Sequence, residues 1–104
     1  MNTLVEESLQ IAAKKFENFG FQEEQVEKLL LSGRRDLEAE MEKLMQLLSE
    51  PEPEKEAIDK SLHALKGLLY NLGNIDAGDK MNDLREDESL QLQIEKLQAV
   101  LHGR

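Results

Sequence analysis

Two histidines, His63 and His102, and no cysteine are found among the 104 residues. No thiol nucleophile or thiolate metal site is therefore available, and the pair lacks the His-Glu-x-x-His spacing of a zinc hydrolase. No metal is expected on the chain. A neutral imidazole nitrogen is a competent nucleophile near neutral pH. Around His63 the spacing adds to this: Lys66 follows at i+3, where an ammonium can offset the charge of a transferring phosphoryl group. Gly67 follows at i+4, in a run otherwise rich in good helix formers. An interior glycine costs a helix about 1 kcal/mol against alanine, so its place beside His63 calls for a reason. Leaving out a side chain there lets a second protein and a phosphoryl group come close. His102 stands two residues from Arg104, in a segment expected to fray, with no such neighbours.

The phase of the surrounding helix sets the direction of the imidazole. Ile58, Leu62, Leu65, Leu69 and Leu72 follow the 4, 3, 4, 3 spacing of a buried stripe. At ~100° per residue this turns Asp59, His63, Lys66, Gly67, Tyr70 and Asn74 to the opposite face, with Lys60 and Asn71 at its edge. His63 is thus expected to point to solvent or to a partner, not into the core. Tyr70, an aromatic on the same face, is the kind of side chain that carries interface energy, so the expected partner surface comprises Asp59, Tyr70, Asn71 and Asn74.

The segment His63-Ala64-Leu65-Lys66-Gly67, with Leu72-Gly73 after it, resembles the His-x-Leu-Lys-Gly and Leu-Gly pattern of histidine-containing phosphotransfer (HPt) domains of two-component phosphorelays. The motif spans Leu62 to Gly73, and the length and helix order are similar over nearly the whole chain. The resemblance implies an antiparallel four-helix bundle with one or two additional short helices. It also implies His63 as phosphoacceptor, Lys66 as the neighbouring positive charge and Gly67 as the space-maker. The implied partners are response-regulator receiver domains, with a hybrid sensor kinase as a further candidate, and the magnesium ion of the transfer would sit on the receiver. No cofactor is implied on this chain, which would be a phosphocarrier and not a stand-alone kinase. One departure is that Leu68, Leu69 and Tyr70 follow the glycine where the family usually has small residues. The family also often steadies the imidazole with a polar residue from the next helix, for which Asn82 and Arg85 are both candidates.

The elements that would position these residues are all helical. Leu, Glu, Lys and Gln dominate, with three Phe, one Tyr, no Trp and little strand-forming material. Thr3 and Glu6 have the form of a capping box opening a helix over about 4–18. Phe19-Gly20-Phe21 interrupts it, and both aromatics are expected to turn inward and plug one end of the core. A short helix over 22–31 and a third ending near Ser49 follow. Ser32-Gly33 leaves open whether these are separate or one rod. Glu50-Pro51-Glu52-Pro53-Glu54 must be a loop, since each proline removes a donor and restricts its predecessor. A helix over about 54–72 then ends at Gly73-Asn74, a natural left-handed cap. Helices over 76–86 and about 89–101 complete the chain, the last with Leu90, Ile94, Leu97 and Leu101 on one face. The pattern predicts a single all-α domain over 1–104, monomeric, because no sustained heptad array is left over.

The formal net charge of -9 argues against nucleic acid and against an anionic membrane surface, both of which call for a basic stripe. No stretch approaches the ~20 apolar residues of a membrane span, and polar Met1-Asn2-Thr3 with Glu6-Glu7 is unlike a secretory leader. A cytoplasmic protein is the expectation. The alternative to phosphotransfer is a helical adaptor that binds receiver domains or partner helices without being phosphorylated.

Overall fold

A computed structural model describes residues 3–86 and 90–101. It is an all-α bundle: α1 (Thr3–Asn18), α2 (Glu23–Leu48), α3 (Lys55–Leu72), α4 (Ile75–Arg85) and α5 (Leu90–Leu101). No helix among the described residues is long and apolar enough to cross a membrane.

The predicted stripe of α3 is the axis of the core. Ile58, Leu62, Leu65 and Leu69 are fully buried and Leu72 nearly so. Val5, Leu9 and Ala12 of α1 close on them, with Leu37, Met41 and Leu44 of α2, Ala77, Met81 and Leu84 of α4, and Leu97 of α5. With α1, α2 and α4 all packed on it, α3 has little freedom to rotate, and the face opposite its leucines is fixed.

Residues 22–31 and the following segment form one helix, α2, running through Ser32-Gly33 without a break. Gly33 has a packing reason: a Cβ there would meet Leu72 Cδ2 at 2.9 Å, so its absence lets the end of α3 cross close to α2. The expected aromatic plug is not formed. Gly20 turns the chain at φ 85°, which leaves Phe19 67 % exposed. Phe21 is also exposed and lies tilted against Phe16, ring centroids 5.9 Å apart.

The loop at Pro51 and Pro53 is as expected, and Glu54 takes the cap position of α3 in extended conformation. At the other end Gly73 adopts φ 91°. Its N–H donates to Tyr70 O at 3.0 Å and that of Asn74 to Leu69 O at 2.9 Å, the two bonds of a Schellman cap. Lys15 of α1 adds its ammonium to the Asn71 carbonyl at 3.0 Å, a cation at the negative end of the helix dipole. Thr3, the expected cap, is instead the first residue of α1; the Ser89 start of the last helix and His102 lie outside the described residues.

Candidate functional site

His63 is exposed on α3, as the phase of the leucine stripe requires. Hollows flank it on either side. Towards α2 lies a shallow groove bordered by Gly67 and Asn71 of α3 and by Asp36, Glu40 and Lys43 of α2. Towards α4 lies a second hollow, bordered by Asp59 and Arg85.

Gly67 opens the first of these. A Cβ built on it meets nothing within 4 Å, so this glycine, unlike Gly33, serves no close helix crossing among the described residues. Its empty volume lies one helical turn from His63.

On the α4 side, Arg85 Nη1 approaches His63 Nδ1 at 3.3 Å. A guanidinium only donates, so Nδ1 is the acceptor. Among the described residues Nε2 has no hydrogen-bond partner, and the His63 side chain as a whole is exposed. Of the two candidates for steadying the imidazole, Arg85 therefore reaches it. Asn82 instead accepts from Lys66 Nζ at 3.3 Å, which holds that ammonium on the α4 side of His63.

The remaining predicted residues are placed unevenly. Asp59 is half-buried, accepting from Lys55 Nζ at 3.2 Å and 3.3 Å and from Gln93 Nε2 of α5 at 2.9 Å. Asn71 is exposed in the Gly67 groove. Tyr70 leans on α4: its ring occupies the space over Gly78, where a Cβ would stand 2.3 Å from Cε1. Its hydroxyl donates to Asp79, and that bond raises the phenol above its ordinary pKa. Asn74 is not on the open face. It is 4 % exposed, its Nδ2 donates to Ser8 Oγ at 2.8 Å and its Oδ1 accepts from the Ala77 N–H at 3.3 Å. The phase argument fails for Asn74 because α3 has already ended at Gly73, and the left-handed turn points the next residue inward.

Two groups near the site escaped the sequence reading. Gln93 is fully buried and ties α5 to Asp59 and to the Leu84 carbonyl at 2.9 Å. Its position four residues before Leu97, inside the apolar phase of α5, was the available signal. Ser61 is buried and donates to Glu40 Oε2 at 2.8 Å, a cross-link between α2 and α3 that no local pattern announces.

No family model, curated protein or solved structure matches the chain.

Proposed function

We propose that the chain is a histidine phosphocarrier, in which His63 takes a phosphoryl group from an aspartyl phosphate on a receiver-type partner and returns it. The observation that carries this reading is the exposed imidazole with Nε2 free, next to the empty space over Gly67. The nucleophilic atom and the room for an incoming group occur together on a helix that the core holds rigid.

In the transfer the ring takes the tautomer with its proton on Nδ1, the Nε2 lone pair so freed attacks phosphorus in line, the N–P bond forms, the P–O bond to aspartate breaks, and the carboxylate leaves. The partner supplies the magnesium ion that neutralises the phosphoryl oxygens. Lys66, three residues after His63 on α3 and bonded to Asn82, adds a positive charge from this chain. Since the groups that activate the phosphorus belong to the partner, this chain acts as carrier and not as kinase.

The test is incubation with a panel of phosphorylated receiver domains and magnesium. An acid-labile, base-stable label should appear on the wild-type chain. It should be lost in His63→Gln, with helical circular dichroism retained because an exposed side chain contributes little to the core, and kept in His102→Gln. Label that persists in the His63 variant, or that no receiver delivers to wild type, would leave the non-phosphorylated adaptor as the better account.

A further inference from the structure

The contact between Arg85 and His63 has a chemical sign. A neutral imidazole carries one proton, and the nitrogen without it holds the lone pair that accepts hydrogen bonds and attacks electrophiles. With a guanidinium donating to Nδ1, the lone pair is held at Nδ1 and the proton at Nε2. That arrangement is inert at Nε2. Nucleophilic Nε2 needs the opposite tautomer, with the proton on Nδ1, where it would face a donor that cannot accept it.

The same contact suits the phosphorylated ring. Once Nε2 bears phosphorus, the remaining lone pair lies on Nδ1. Protonation there makes the ring a neutral leaving group and labilises the N–P bond. A guanidinium that donates to Nδ1 occupies that lone pair and so competes with a proton for it.

Other charged groups near the ring have partners of their own. From α2, Glu40 is bonded to Ser61 and Asp36 faces Arg35 at 3.8 Å, while Lys43 stands across the Gly67 groove that His63 also borders. On α3, Lys55 is held by Asp59 and Lys60 by Glu56. Among the described residues Arg85 is the group within hydrogen-bond distance of the imidazole.

We propose that Arg85 is a positioning residue that sets where the proton sits on His63, holding it at Nε2 at rest and keeping Nδ1 unprotonated after phosphorylation. The module then loads slowly and keeps its phosphoryl group long. The kinetic half of this inference rests on the phosphocarrier reading; the tautomer half does not.

Nitrogen-15 NMR of the ring in mildly alkaline buffer reads the tautomer directly. Wild type and Arg85→Lys, which also only donates, should show the proton on Nε2. Arg85→Gln, whose carbonyl can accept, should move the population toward Nδ1–H. Potassium phosphoramidate then serves as a donor that needs no partner protein: the Nε2–P bond forms, the P–N bond of the reagent breaks and ammonia leaves. Arg85→Gln should take up and lose the label ~10-fold faster than wild type, the size expected for one charge-assisted hydrogen bond, and Arg85→Lys should stay near wild type. A resting wild-type proton on Nδ1, or a Gln variant with wild-type tautomer and rates, overturns the role of Arg85. Labelling by phosphoramidate with the expected Arg85 dependence, but by no phosphorylated receiver, would refute the relay and leave the role of Arg85 standing.

Discussion

Residue by residue, the legible part of the site is the part that follows from helix phase. His63, Lys66 and Gly67 are separated by three and four positions, and once the leucines of α3 are buried their direction is geometric. What those residues touch on α4 is not local, and sequence spacing could not choose between Arg85 and Asn82 as the partner of the imidazole. The glycines make the same point. Gly67 and Gly78 look alike in the sequence, yet a Cβ at Gly67 meets open space and one at Gly78 meets the Tyr70 ring at 2.3 Å. Gly67→Ala should therefore raise stability by up to about 1 kcal/mol through helix propensity. Gly67→Leu should fold as well as wild type but accept phosphate poorly, because its side chain fills the space beside His63. Gly78→Ala should lose about 1–3 kcal/mol by overpacking, and that loss should largely disappear in a Tyr70→Ala background, where the ring is gone. Urea unfolding of the set checks the stabilities, and labelling from a phosphorylated receiver checks the loss of transfer in Gly67→Leu. A Gly67→Ala variant clearly less stable than wild type would mean that Gly67 is a packing residue.

Among the elements, the ends of the five helices were readable to within a residue or two, since prolines, caps and glycine turns are local signals. The exceptions have tertiary causes. Ser32-Gly33 leaves open a break or one rod; the pair continues α2, and Gly33 leaves the space that Leu72 fills. Phe19 and Phe21 read as core and are not, because the left-handed turn at Gly20 sends them outward. The α3–α4 corner has the largest consequence. Asn74 caps α4 through Ala77 and at the same time bonds Ser8 on α1, so one side chain starts the helix that bears Arg85 and fastens it to another. Asn74→Ala removes both bonds and should cost about 2 kcal/mol. Asn74→Asp retains the acceptor for the Ala77 N–H but not the donor to Ser8, and adds a charge in a buried place, so it should not restore stability. Thermal and urea unfolding provide the comparison. An alanine variant within a few tenths of a kcal/mol of wild type would show that the corner is held by its packing alone.

At the level of the whole molecule, an all-α domain with one leucine-rich core was legible because composition and period agree throughout. The ties between distant helices were not, because they join residues whose spacing carries no pattern. Glu6 and Arg34 are such a pair: Arg34 Nη1 lies 2.8 Å from Glu6 Oε1, linking α1 to α2 on the surface. The hydrogen bond from Arg34 holds the Glu6 carboxyl below its ordinary pKa. A group whose pKa is lowered on folding stabilises the native state at pH values above its unfolded pKa, and that contribution is lost as the pH falls through the folded value. Both side chains are more than a third exposed, so the effect is small and salt-sensitive. Glu6→Gln should accordingly melt slightly below wild type at neutral pH. The gap should close as the pH is lowered into the range where the wild-type carboxylate takes up its proton, and it should narrow at neutral pH when salt is raised. Circular-dichroism melts of the two proteins across pH and salt provide the readout. A gap that is the same at acid and neutral pH would mean that Glu6 acts through the packing of its stem and not through its charge.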